Sequence, residues 1–198
     1  MTHATDDTDS AGYYRRMQAA VEELLILRGV LTQGGIDKQV AAMDARTYKL
    51  GAKVVARAWV DAAYRARLLA EPRAAAAEVG VNLGPTHLIV VEDTSAVHNV
   101  IVCTLCSCYP RMLLGVPPAW YKSREYRSRV VREPRAVLAE FGTVLPPHVD
   151  IRVHDSTADM RYMVLPLRPA GSAHLDEAAL AQLVTRDSLI GVGVPALP

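Results

Sequence analysis

Cysteine is scarce in this chain, and long apolar runs are missing altogether. Of 198 residues only three are cysteine, and all three fall between Cys103 and Cys108. Disulfides stabilise by closing long loops, and an odd count leaves one thiol over, so a disulfide scaffold is excluded. No uninterrupted apolar stretch reaches the roughly 18 residues of a membrane span. The opening Met1-Thr2-His3-Ala4-Thr5-Asp6-Asp7 carries acid where a secretory signal carries positive charge and then an apolar core. A soluble, cytoplasmic protein is therefore expected. Charge of one sign is lacking too. A formal net charge of +1 creates no field that would draw the chain onto nucleic acid or an anionic membrane. No glycine-rich phosphate loop and no internal repeat is present.

What is there suits a compact globular protein, with 51% hydrophobic and 22% charged residues to build a core and a solvated face. Residues 1–12 are polar and aperiodic and read as a mobile tail. Met17, Val21, Leu24, Leu25 and Arg28 then recur at helix-face spacing, with Gly29 placed to end the helix in a left-handed cap. Alanine-rich segments from Ile36 to Val79, broken by Gly, Asp and Pro, predict further short helices, so residues 13–80 read as an N-terminal helical segment. Its apolar stripes exceed what a lone arm buries, which predicts packing on a sheet or on another subunit.

Residues 81–198 read as an α/β domain. Leu88 to Val91 and Val97 to Val102 predict two strands around a turn at Asp93-Thr94-Ser95. Val149 to Val153 and Tyr162 to Leu165 predict two more. Helical composition resumes at Ser123 to Arg132, Glu133 to Phe141 and Asp176 to Leu183, ahead of a Gly/Pro-rich tail. Helices first and mixed elements later predict an α+β fold rather than regular βαβ alternation.

The cysteines directly follow the second predicted strand. The spacing C-x-x-C-x-C sets three soft thiolate donors on a tight turn, close enough to hold one ion. Structural zinc usually takes four Cys or His ligands in separated pairs, and no second cysteine pair exists, although His98 could complete such a site. With only Ser107 between the last two cysteines, the peptide nitrogens of Ser107 and Cys108 fall beside the sulfurs. Binding through them requires a strongly Lewis-acidic ion, and trivalent cobalt or iron suits that better than tetrahedral zinc. Three buried thiols acting as small hydrophobes would be the bland alternative.

The stretch Val102 to Cys108 resembles the metal claw of the nitrile hydratase α-subunit. The likeness continues through Pro117-Pro118-Ala119-Trp120-Tyr121-Lys122-Ser123, Glu125 to Gly142, Val54 to Val60, Arg161 to Pro166 and Val184 to Asp187, covering roughly residues 13–194. The resemblance implies a layered α-β-β-α domain with an N-terminal helical arm. It implies Cys103, Cys106 and Cys108 as sulfur ligands, and Ser107 and Cys108 as backbone-nitrogen ligands. It also implies oxidation of Cys106 to sulfinic and Cys108 to sulfenic acid, the latter as nucleophile. Thr104 stands where cobalt-type members carry Thr and iron-type members Ser, so non-corrin cobalt(III), one per chain, is expected over iron(III). The implied activity is hydration of a nitrile to its amide, with the claw completed by a β-type subunit and loaded by an activator or metallochaperone. Asp155, Asp159 and Arg161 match positions that support the claw.

The chain departs from common members just past the claw, with Arg111-Met112 where Trp-Pro is usual. Gly84-Pro85-Thr86 stands where several members carry a pocket glutamine. Tyr109, Arg111 and Trp120 are the expected pocket residues, and a polar or bulky nitrile is the expected substrate, a nucleoside nitrile such as toyocamycin among them. The arginine also resembles the γ-subunit of thiocyanate hydrolase, where positive charge suits an anionic substrate. A non-catalytic zinc-binding or metal-carrier module is the alternative of another class. Arg124, Arg127, Arg129, Arg132 and Arg135, spaced along helical stretches, read as a subunit interface or solvated face.

Overall fold

The computed structural model describes residues 6–85 and 87–197, and the chain divides into two compact units, Met1–Ala45 and Arg46–Pro198. Residues 1–5 of the expected mobile tail, and Thr86, lie outside the described residues. In the first unit, helix α1 spans Asp6–Leu27, taking in the rest of the expected tail, and α2 spans Gln33–Asp44. Gly29, at φ +67°, ends α1 as its spacing suggests. The turn is closed by Val30 N–H donating to the Leu25 carbonyl at 2.9 Å. The Thr32 hydroxyl accepts from Gly35 N–H at 3.1 Å and caps α2. Met17, Val21, Leu24, Val40 and Met43 all stay exposed.

The second unit is built on two pairs of parallel strands. Strand β1 (His87–Glu92) pairs with β4 (Met160–Leu165), and β2 (Val97–Val102) pairs with β3 (Asp150–Asp155). The turn at Asp93-Thr94-Ser95 therefore does not close a hairpin. It carries the chain from one sheet to the other, and residues 156–159 do the same between β3 and β4. The register sets Val102 opposite Asp155, so the loop after β2 and the end of β3 share one edge. Buried Val100, Ile101, Val102, Met163, Val164 and Leu165 form near-continuous apolar runs, as strands covered on both faces require.

Helix α3 (Lys49–Val60) buries Ala52, Val54, Val55, Ala56 and Ala58. Its two buried valines, Val54 and Val55, each contribute on the order of 1.5–3 kcal/mol by leaving water. Helices α4 (Ala62–Ala70) and α5 (Pro72–Glu78) follow at once, and the Asp61 carboxylate caps α4 by accepting from Tyr64 N–H at 2.9 Å. The expected boundary after residue 80 falls inside this unit, because α3 packs on the later helices and Trp59 Nε1 donates to the Pro166 carbonyl at 2.8 Å.

After β2 come α6 (Arg111–Leu114), α7 (Ala119–Lys122), α8 (Arg124–Arg129) and α9 (Pro134–Glu140). Past β4 come α10 (Glu177–Leu183) and α11 (Arg186–Ile190). Helix α11 falls where a Gly/Pro-rich tail is expected; Thr185 and Ser188 form a reciprocal capping box there, and Ser188, Leu189 and Ile190 are buried. Gly191 ends it at φ +89°, so close to β2 that a Cβ would lie 1.9 Å from the Asn99 carbonyl oxygen. Only glycine fits that approach.

Candidate metal centre

The three cysteines leave β2 together. Their sulfur atoms lie within 4.8 Å of one another, with Cys103–Cys106 at 3.5 Å and Cys106–Cys108 at 3.3 Å. Two metal–sulfur bonds of about 2.3 Å set their sulfurs about 3.3 Å apart at a right angle and about 3.8 Å apart at a tetrahedral one. The Cys106–Cys108 spacing matches the right angle, and the Cys103–Cys106 spacing falls between the two. Among the described residues no His, Cys, Asp or Glu joins this cluster. His98 is committed elsewhere, its Nε2 2.7 Å from the Gly191 carbonyl and its Nδ1 3.4 Å from Asp93. Three sulfurs without a fourth Cys or His fall short of the set that structural zinc usually takes.

Burial grades the three thiols. Cys103 and Cys108 are buried and Cys106 is exposed. Sulfur hydrogen bonds from Cys108 and then Cys103, reinforced by backbone N–H groups of Ser107 and Cys108, pull the Cys106 thiol down to about 7. Burial, followed by its bond to Cys106, pushes Cys108 up to about 12, against the opposing charge of Arg161. Of these two, the Cys106 sulfur ionises before that of Cys108.

The loop is fixed from two directions. From β3, the Asp155 carboxylate accepts from Thr104 N–H at 2.9 Å and from the Thr104 hydroxyl at 2.5 Å. From α7 and α8, the Tyr121 hydroxyl donates to the Cys108 carbonyl at 2.9 Å and the Tyr126 hydroxyl to the Ile101 carbonyl at 2.8 Å. Arg127 Nη1 donates to the carbonyls of Cys106 at 3.1 Å and Thr104 at 3.4 Å. Trp120 and Phe141 pack edge-on at 4.7 Å over this aromatic group and hold it in place.

The expected supporting residues divide. Asp155 grips the claw, and Arg161 lies near enough for its charge to act on Cys108. Arg161 also donates to the carbonyls of Thr157 and Met160. Asp159 is exposed in the turn before β4. Of the expected pocket residues, Arg111 is exposed at the start of α6, three positions beyond the last cysteine. Tyr109 is buried against Tyr121 at 5.1 Å, with no partner for its hydroxyl and its acidity suppressed by burial. Trp120 is half-buried against Tyr126 at 4.9 Å.

The arginine series also divides. Arg129 pairs with Glu125, Glu133 and Glu140, while Arg135 donates to the carbonyls of Leu145, Pro146 and Val149. Arg127 alone of the series reaches the claw. No sequence signal separates it from its neighbours; that its guanidinium turns back to the carbonyls of Ser123, Thr104 and Cys106 is visible only in three dimensions.

Three sulfurs at the ends of two parallel strands, braced by a carboxylate on one side and two phenols and a guanidinium on the other, form a cluster that could hold one metal ion. Comparison with known proteins then gives the family. The model of the nitrile hydratase alpha chain matches residues 13–193, and the chain belongs to that family. It is 50% identical over 181 residues to the alpha subunit of the low-molecular-weight cobalt-containing nitrile hydratase of Rhodococcus rhodochrous, covering 90% of this chain and 87% of that one. It is 44% identical over 200 residues to the gamma subunit of the thiocyanate hydrolase of Thiobacillus thioparus, covering 90% of this chain and 79% of that one. Among solved structures, a histidine double mutant of the Fe-type nitrile hydratase of Comamonas testosteroni Ni1 superposes with a TM-score of 0.88 at 43% identity, covering 94% and 92% of the two chains. The expected α+β fold of nitrile hydratase alpha type is therefore the fold observed. No helix among the described residues is long and apolar enough to cross a membrane.

Proposed function

We propose that this chain is the metal-carrying α-subunit of a cobalt nitrile hydratase, working in the cytoplasm with a β-type partner to convert a nitrile and water into the amide. The observation that carries the reading is the convergence of the Cys103, Cys106 and Cys108 sulfurs within 4.8 Å. Cobalt is favoured over iron because Thr104 occupies the position that resembles cobalt-type members, and because relatives such as the Rhodococcus rhodochrous subunit are named as cobalt-containing. When bound, a trivalent ion supplies Lewis acidity that polarises a nitrile or a water.

The chain's own residues hold that chemistry in place. Cys103, Cys106 and Cys108 give sulfur, and Ser107 and Cys108 give backbone nitrogen. Asp155 and Arg127 keep the loop from opening, and Arg161 presents positive charge toward Cys108, the sulfur proposed to carry the nucleophilic oxygen. Exposed Leu105, at the tip of the claw loop, and the exposed stripe Met17, Val21 and Leu24 on α1 give a partner chain apolar surface to cover. Loading through an activator protein accords with two of the three sulfurs, Cys103 and Cys108, being buried.

For the substrate, exposed Arg111 favours a polar or bulky nitrile, of which a nucleoside nitrile such as toyocamycin is the proposed example. The same arginine, with the likeness to a thiocyanate hydrolase gamma subunit, supports thiocyanate as the second reading. The cobalt-loaded complex with its partner, assayed side by side on aromatic nitriles, a nucleoside nitrile and thiocyanate, decides between them. Amide formation is expected. Thiocyanate turnover without nitrile hydration favours the second reading, and a colourless complex holding stoichiometric zinc overturns both.

A further inference from the structure

We infer that Arg127 is a positioning residue of the metal claw: its guanidinium grips the loop at the carbonyls of Thr104 and Cys106 and offsets charge that the loaded claw places on the Cys106–Ser107 peptide. The inference rests on the metal-binding reading above.

Arg127 Nη1 lies 3.1 Å from the Cys106 carbonyl oxygen and 3.4 Å from that of Thr104, while its Nε reaches back to the Ser123 carbonyl at 3.4 Å. Both claw carbonyls flank Leu105, whose side chain is 88% exposed and gives the loop no packing of its own. The Cys106 N–H donates to the Cys103 sulfur at 3.2 Å and closes the turn from within, and the guanidinium holds the same segment from outside it. Asp155 holds only Thr104, at the loop's entry.

The Cys106 carbonyl is also the oxygen of the peptide whose nitrogen belongs to Ser107. Resonance couples the two atoms, so electron density gained at a metal-bound nitrogen is shared with that oxygen. A cationic donor there strengthens its bond as the density rises, as charge-assisted hydrogen bonds do. Three anionic sulfur ligands, oxidised or not, and two deprotonated peptide nitrogens around a trivalent ion leave the claw net negative, and an uncompensated cation beside it is favourable. Arg127 keeps its charge available for this. Among the described residues it forms no ion pair, whereas Arg129, two positions on, pairs with three glutamates.

The test uses the complex with its β-type partner, loaded with cobalt, in wild-type, R127K, R127M and R132M forms. Arg132 lies in the turn after α8 and donates to the Ser128 carbonyl, with no bond to the claw among the described residues. Cobalt per chain before and during exposure to excess chelator, the position of the sulfur-to-cobalt absorption band, and the melting temperature of the metal-free chain are measured. R127M is expected to lose cobalt about ten- to a hundredfold faster than wild type, with a displaced band. R127K should recover part of that loss, since an ammonium supplies charge without the planar fork. R132M should match wild type. Wild-type retention and band position in R127M overturn the inference. So does equal metal loss in R127K and R127M that tracks a lowered melting temperature, which would mark a purely architectural role. A wild-type complex that takes up no cobalt overturns the metal-binding reading itself.

Discussion

The carboxylate of Asp155 holds Thr104 by two atoms at once, accepting from its backbone N–H at 2.9 Å and its hydroxyl at 2.5 Å. The register of β2 and β3 brings this about, because it sets Val102, the last residue before the claw, opposite Asp155. The residue that distinguishes cobalt-type members in the resemblance is thus also the one that ties the loop to the second strand. D155A frees both donors and is expected to lower cobalt content and turnover of the assembled enzyme about ten- to a hundredfold. T104S retains a hydroxyl and should keep both bonds. Metal analysis alongside activity checks the pair, and a D155A complex with full cobalt content would contradict the anchoring role.

Tyr121 offers a cleaner measurement of stability. Its hydroxyl donates to the Cys108 carbonyl at 2.9 Å in a fully buried position, and burial holds its acidity far below that of a free phenol. Y121F removes the donor and little else, leaving a buried carbonyl without that partner, which costs about 1–3 kcal/mol. Denaturant unfolding of the metal-free chain should register that loss with an unchanged slope. A midpoint equal to wild type would mean the Cys108 carbonyl finds another donor.

How far this arrangement was legible in sequence differs from element to element. Short β-branched apolar runs located β1 to β4 within a residue or two, because each strand's own pattern carries the signal. Their pairing was not local. β1 and β2 are adjacent in the chain and read as strands around one turn, yet each finds its parallel partner more than fifty residues later. The four-residue helices α6 and α7, set among prolines, give too short a period to detect, and α11 hides behind glycine-rich sequence. The three sulfurs were legible because coordination chemistry needs them close in sequence. Tyr121, Tyr126 and Arg127 were legible as family pattern and not as claw supports, since a donor to a distant carbonyl leaves no mark on its own neighbours.

A buried polar chain beside the claw sets a pH dependence. The Asn99 amide nitrogen donates to Asp93 at 2.9 Å and to the Glu92 carbonyl at 2.8 Å, which leaves its oxygen to accept from His154 Nε2 at 2.8 Å. Burial, then the charge of Arg152, holds the His154 imidazole below the ordinary histidine value of 6.5. Above that value the ring is neutral in folded and unfolded chain alike. As pH falls through it, the unfolded chain takes up a proton that the folded chain refuses, so stability falls on acidification, with a slope under about 1.4 kcal/mol per pH unit. H154Q keeps a donor toward Asn99 and cannot titrate. Its melting temperature should drop less than that of wild type between pH 7 and pH 5. The carboxyl of Asp93, raised by burial, is common to both proteins and cancels in the difference.

Arg111 turns the substrate question into a kinetic one. It stands three residues past Cys108, exposed, while its neighbours Leu113 and Leu114 are buried, so its side chain is a surface charge that the core does not need. R111M should therefore leave folding and cobalt content unchanged. If the guanidinium recognises a polar or anionic group on the substrate, its loss removes binding that is equal in ground state and transition state. KM for that substrate then rises about tenfold with kcat preserved, consistent with the roughly 1.5–3 kcal/mol of a hydrogen bond to a charged group. A small apolar nitrile, lacking such a group, should be bound no worse. The sign of the difference separates the two substrate readings. A KM increase confined to thiocyanate marks the arginine as an anion receptor, one confined to a nucleoside nitrile marks it as a polar contact, and equal KM values in R111M and wild type for every substrate remove Arg111 from the pocket.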